Sequence, residues 1–158
     1  FGDPVSPVLA GVLASAAQEA GATTHVGGTY VCMEGPAFST RAESELYRSW
    51  GASVVGMTNI PEAKLAREAE IAYATVALAT DYDCWHPDHD DVDVSAVIAT
   101  INRNVSTARR IIEIAASNIP DTLDPLVEGA AQFAIMTSRD KLPADRCEAL
   151  RPIIGKYL

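Results

Sequence analysis

Cysteine is scarce in this chain. Only Cys32, Cys84 and Cys147 occur, odd in number, far apart and without a CxxC pair. That usage argues against a disulfide framework and for a reduced, cytoplasmic setting. Long apolar runs are missing too. Each is broken well short of the length that spans a bilayer, so no transmembrane helix is expected. Positive charge is the third shortage: 12 Lys and Arg stand against 21 Asp and Glu, a net charge of −9. Such a chain lacks the cationic face that phosphate backbones require, which argues against nucleic acid or an anionic membrane as its main partner. An anionic small molecule stays compatible, because a few local donors outweigh a global charge. Signature motifs are absent as well. There is no GxSxG elbow for a nucleophilic serine, and neither GxxxxGK nor GxGxxG for a phosphate cradle. The pair Gly27-Gly28 alone reads as structural.

What is present is a globular composition, with 48% hydrophobic and 21% charged residues over 158 positions, enough for one domain with a core. Residues 7–20 place Leu9, Val12, Leu13, Ala16, Ala17 and Ala20 at helical spacing, and Gly21 ends the run. Residues 24–33, "THVGGTYVCM", are β-prone. After the turn "EGPAF", Thr40 and Glu43 form a capping box that predicts a helix from Thr40 to before Gly51. "ASVVGM" at 52–57 is a short buried strand, and Pro61 sits in the first turn of the next helix. Residues 72–80 are apolar enough for another buried strand. The spacing then predicts a long helix over 94–117, with Val94, Val97, Ile98, Ile101, Val105, Ala108, Ile112 and Ala115 as its inward stripe. Two further helices are expected near 123–136 and 143–154. Strands alternating with helices describe an α/β protein with a mostly parallel, buried sheet. In such sheets ligands bind beyond the carboxyl ends of the strands. Residues 34–38, 57–59 and 80–83 should therefore converge on one site.

The chemistry concentrates in "TDYDCWHPDHDDVDV", residues 80–94. His86 and His89, with Cys84 and several aspartates, suggest metal ligands, but Pro87 disfavours a helix presenting both histidines, and a structural zinc needs four closely spaced donors. A solvated acidic loop, with Asp91 and Asp93 near the start of the long helix, is the reading adopted. No metal is expected. Cys84 and His86 are neighbours, yet nothing electropositive favours a thiolate among so many carboxylates. Asp81 and Asp83 differ. Carboxylates two residues apart lie on one side of an extended strand, and a turn at the strand's end brings them closer together. Two acids held together in a partly closed pocket give one that donates a proton beside one that accepts hydrogen bonds. A plain turn or helix-cap role for Asp81 stands beside that reading.

The blocks "EGPAFSTRAES", "WGASVVGMTNIPE" and "ATDYDCW", in this order and spacing, resemble the purine nucleoside phosphorylase superfamily, and within it the subgroup acting on 5'-methylthioadenosine. The resemblance covers residues 1–117 well and the tail more loosely through "AAQFAIM". It implies part of a nucleoside phosphorylase fold, α/β, with a twisted, mixed but mostly parallel sheet flanked by helices. It implies phosphorolysis of 5'-methylthioadenosine to adenine and 5-methylthioribose 1-phosphate. Phosphate is then a substrate, no cofactor is needed, and the assembly is a homotrimer. Carried over residue by residue, Phe38 packs on the purine, Met57 lies against the ribose, and Thr58 meets phosphate. Ser39 serves either phosphate or the helix start. Asp81 faces N7 and the exocyclic amine of adenine, with Asp83 in support. Val97 lines the methylthio pocket, a place compatible with plain core packing, and Met136 lines it too. The alternatives are a phosphorylase preferring adenosine or a 6-oxopurine nucleoside, and a non-catalytic fragment that only binds purine or supplies an assembly surface.

The family pattern also includes a glycine-rich turn and an Arg-His pair that contact phosphate, and neither is found in this sequence. The start at Phe1, in "FGDPVSPVL", reads as the interior of a longer protein. The expectation is that residues 1–158 are the C-terminal portion of one phosphorylase domain. The N-terminal half would be a separate or cleaved chain, and the 158-residue chain alone would be inactive.

Overall fold

The computed structural model describes residues 1–86, 94–122 and 124–158. The elements run α1 (Pro7–Glu19), β1 (Tyr30–Cys32), α2 (Arg41–Ser49), β2 (Val54–Gly56), α3 (Ile60–Glu68), α4 (Val94–Ala116) and α5 (Ala144–Ile154), with short 3₁₀ turns at Arg139–Lys141 and Gly155–Tyr157. Helices accompany a two-stranded parallel sheet among the described residues, so the fold class is α/β. No helix among the described residues is long and apolar enough to cross a membrane. All three cysteines are free thiols.

The chain forms two compact units. One comprises Phe1–Ala10, Ile60–Thr75 and Pro120–Leu158. Its buried anchor is polar. Ser6, fully buried, donates its hydroxyl to Asp124, and its oxygen caps the first turn of α1 by accepting from the Leu9 N–H at 2.9 Å. Its own N–H donates to the Tyr73 carbonyl at 2.7 Å. Every polar group of that serine is thus used, which is what makes its burial tolerable. A second anchor closes α3. Glu70 stands just past the helix at φ 56°, and the N–H groups of Glu70 and Ile71 cap the carbonyls of Arg67 and Ala66. This is the Schellman ending, at a position that usually belongs to glycine. The Glu70 side chain then pairs with Lys156 and accepts from the Tyr157 hydroxyl at 2.6 Å and the Ala131 N–H at 2.8 Å.

The other unit comprises Gly11–Asn59 and Val76–Ile119. β1 and β2 lie parallel, with Tyr30 opposite Val54, Val31 opposite Val55 and Cys32 opposite Gly56. α2 is the crossover between them, the arrangement a parallel pair requires. The predicted capping box starts α2. The Thr40 hydroxyl accepts from the Glu43 N–H, while the Glu43 carboxylate accepts from the Thr40 N–H at 2.7 Å. The Thr40 N–H first, and then the Thr40 hydroxyl donating to the same carboxylate at 2.8 Å, hold the Glu43 carboxyl below its ordinary value. Gly51, at φ 76°, ends the helix with the same Schellman pair of bonds. The core of the unit packs Ala16 and Ala17 of α1 against Ile111, Ile114 and Ala115 of α4.

Three expectations change. Residues 72–80 form no strand. Their apolar composition is right, but a strand exists only as part of a ladder, and the one sheet among the described residues pairs β1 with β2. Residues 125–134 form a chain of turns instead of the helix expected over 123–136. Gly129, at φ 70° within "EGAA", interrupts the helical path. The inward face of α4 is also rotated. Ile111, Ile114 and Ala115 are buried, whereas Ile98, Ile101, Val105 and Ile112 are exposed. α4 carries apolar residues around more than one side, so periodicity alone does not choose between two adjacent ridges.

Candidate functional site

In the second unit, the turn that follows β1 touches both the end of β2 and Cys84 of the acidic segment. At Gly35, φ is 70°, and an added Cβ would lie 2.7 Å from the Met57 sulfur. Met57 is thus packed directly onto the "EGP" turn, and only glycine fits there. Gly56 plays a similar part for Tyr30, whose ring occupies the space a Cβ would fill and whose hydroxyl shares a 3.4 Å hydrogen bond with the Thr58 hydroxyl. Ser39 links the same turn to the acidic segment, its carbonyl accepting from the Cys84 thiol at 3.6 Å. The Ser39 hydroxyl itself points to the Met33 sulfur at 3.4 Å.

The two carboxylates belong to one tight turn. Asp83 has φ 60°, in the left-handed region that Asp tolerates better than most residues, so the backbone bends at this position. One oxygen of Asp81 accepts from the Asp83 N–H at 2.9 Å, the other from the Thr80 hydroxyl at 2.6 Å. One oxygen of Asp83 accepts from the Cys84 N–H at 2.8 Å, the other from the Ser44 hydroxyl at 2.6 Å. All four carboxylate oxygens act as acceptors, and each keeps a further lone pair for a ligand. Burial pushes the Cys84 thiol up, and the neighbouring Asp83 charge adds to it. Cys84 is therefore a packing residue and not a thiolate nucleophile.

What the sequence reading missed is the face of α2 that holds this turn. Arg41, Ser44 and Arg48 follow one another at i, i+3 and i+7 and so lie on one side of the helix. Arg41 donates to the Cys84 carbonyl, Ser44 binds Asp83, and the Arg48 guanidinium stacks over the Trp85 ring at 3.7 Å. Ser44 is 2% exposed, a buried polar residue in an otherwise polar, solvated helix. Nothing local in the sequence marks it, since a serine one helical turn after the capping residue Thr40 is ordinary in a polar helix. Tyr82, Trp85 and His86 cluster beside it, with ring centroids 5.1 to 6.5 Å apart. His86 is therefore part of an aromatic group, while His89, Pro87, Asp91 and Asp93 of the weighed metal motif lie outside the described residues.

The remaining predicted residues are placed as follows. Phe38 is 67% exposed on the turn beside Ser39. Val97 is half-buried on α4. Met136 belongs to the other unit and is 94% exposed. A cavity of about 270 Å³ in that unit is lined by Glu70, Glu128, Arg151 and Lys156 among others, and none of the predicted site residues borders it.

The phosphorylase superfamily profile matches residues 1–117. The S-methyl-5'-thioadenosine phosphorylase of Geobacter sulfurreducens is 60% identical over the whole of this chain, which covers 55% of that relative. A crystal structure of a methylthioadenosine phosphorylase from an antarctic soil metagenomic library superposes with a TM-score of 0.81 at 40% identity, over 99% of this chain and 55% of that one. The methylthioadenosine phosphorylase of Schistosoma mansoni, solved in complex with adenine, gives a TM-score of 0.74 at 29% identity, over 89% and 55%. The chain thus spans about half the length of the relatives it matches. With three quarters of its residues inside the family profile, the chain belongs to the phosphorylase superfamily.

Proposed function

We propose that this chain forms the base- and ribose-binding part of an S-methyl-5'-thioadenosine phosphorylase. In that reaction phosphate attacks the anomeric carbon of 5'-methylthioadenosine, the glycosidic bond breaks, and adenine leaves with a proton on N7. The observation that carries the reading is the turn in which Asp81 and Asp83 are held together, each as an acceptor with lone pairs to spare. Such a pair reads a 6-amino purine. The exocyclic amine donates to a carboxylate oxygen, whereas a 6-oxo group would set acceptor against acceptor and leave both unpaired. A proton on Asp81 passes to N7 as the C–N bond opens, so the base departs neutral. Phe38 offers a face for the purine. Met57 lies against the ribose, Val97 borders the methylthio group, and Thr58, with Ser39, donates to phosphate. No cofactor takes part. The rest of the phosphate site comes from residues corresponding to the part of its relatives that this chain does not span, in a cytoplasmic homotrimer.

The test is phosphate-dependent turnover by this chain combined with the N-terminal half of its Geobacter sulfurreducens relative. Methylthioadenosine and adenosine should be cleaved and inosine should not. Fast cleavage of inosine with none of methylthioadenosine would refute the assignment of Asp81 and Asp83. Adenine binding without any turnover would instead favour a purine-binding fragment.

A further inference from the structure

The geometry points to Ser44 as a positioning residue, which aligns the proposed acid Asp81 through Asp83. The inference rests on the reading of Asp81 given above. Two hydrogen bonds connect the residues. The Ser44 hydroxyl donates to Asp83 at 2.6 Å, and the Asp83 N–H donates to Asp81 at 2.9 Å. Asp83 occupies a left-handed backbone conformation, at φ 60°, so its peptide N–H is directed by a bend that needs support. Ser44 supplies that support from a rigid source. It is 2% exposed, and its helix is fixed at one end by the capping box and at the other by Gly51. Arg41 and Arg48, one turn to either side of Ser44, hold the next two residues, Cys84 through its carbonyl and Trp85 through its ring. One face of α2 is therefore a template for the whole acidic turn, and Ser44 is its only contact to a carboxylate of the pair among the described hydrogen bonds. Ser44 touches neither base nor sugar in this scheme. Its effect belongs to the precision with which Asp81 meets N7, which matters most in the transition state.

That placement separates Ser44 from a residue that only packs. In the combined two-part enzyme, Ser44→Ala should lower kcat for methylthioadenosine about ten-fold while KM changes less than about two-fold. Ser44→Cys, which keeps a weak donor in nearly the same volume, should fall between the two. Adenine affinity measured by calorimetry, which needs no turnover, should weaken in the same order. Melting temperatures of the three proteins should agree. A Ser44→Ala enzyme with parental kcat, beside an Asp81→Asn enzyme that has lost activity, would overturn the positioning role and leave the acid in place. A loss of kcat that follows a lowered melting temperature, with no recovery in Ser44→Cys, would overturn it as well. Unchanged turnover in Asp81→Asn would remove the acid itself, and the role of Ser44 with it.

Discussion

Asp81 and Glu70 are both acids with every oxygen occupied, yet they should respond to substitution in different ways. At Asp81 the exposed carboxylate is held only by its own turn, from the Thr80 hydroxyl and the Asp83 N–H. Asp81→Asn preserves the shape and one acceptor but replaces an acceptor by an amide donor. The expected result in the two-part enzyme is a loss of roughly 10²-fold in kcat with methylthioadenosine, the scale of a lost general acid. Relative rates should move toward inosine, whose 6-oxo group now finds a donor; steady-state rates on both substrates check this. Glu70 serves stability. Lys156 first, then the Tyr157 hydroxyl and the Ala131 N–H, hold its carboxyl down from 4.5 to about 2. A depressed carboxyl stabilises the fold above its ordinary value, and the contribution disappears as pH falls through the folded one. Thermal melts should therefore show parental protein losing stability between about pH 4.5 and pH 2 in excess of a Glu70→Gln variant. Parallel curves for the two proteins would show that the carboxylate contributes nothing.

At the scale of elements, α2 joins fold to site. Thr40→Ala removes the hydroxyl that accepts from Glu43 and should cost about 1 kcal/mol of stability, read from denaturant midpoints. Because the same helix holds residues 83–85, fraying of its first turn should also loosen Arg41 from the Cys84 carbonyl. Gly35→Ala tests the neighbouring contact. Its Cβ would press on the Met57 sulfur from a left-handed backbone, so, if Met57 has the place against the ribose proposed above, KM for the nucleoside should rise. The same elements show what was legible in the sequence. Capping residues and terminal glycines act locally, so α2 and its boundaries could be read from Thr40, Glu43 and Gly51. The turn at Asp81 and Asp83 was legible for the same reason: aspartates directly after an apolar run mark a local bend. What failed depended on partners distant in sequence. Residues 72–80 have the composition of a strand without a neighbouring ladder, and α4 shows two apolar ridges, of which the α1 alanines select one. Ser44 escaped notice because a lone serine in a charged helix carries no local mark of its buried bond to residue 83.

Across the whole molecule, apolar surface is left uncovered in each unit. Val26, Phe38, Trp50, Ile98 and Ile112 of one unit are more than half exposed, as are Leu65, Ile71, Phe133 and Met136 of the other. Isolated apolar side chains are ordinary on protein surfaces, but this many large ones on a chain of 158 residues exceed what a stable monomer leaves in water. On α4 they are also ordered: Ile98, Ile101, Val105 and Ile112 recur at helical spacing and make a ridge. At roughly 25 cal/mol per Å² of apolar area removed from water, covering such a ridge outweighs the loss of a few polar contacts. The chain alone should therefore bind an apolar dye strongly and run above its 16.8 kDa monomer mass on native sizing. If the part of the relatives that this chain does not span covers this surface and completes the proposed phosphate site, adding the N-terminal half of the Geobacter sulfurreducens relative should reduce dye binding as phosphorolysis appears. Dye titration, native mass and turnover on a single series of mixtures would follow that coupling. A monodisperse 16.8 kDa species that binds no dye and cleaves methylthioadenosine unaided would show that the chain needs no partner segment. Dye binding that falls while turnover stays absent would separate assembly from catalysis and return the question to Asp81.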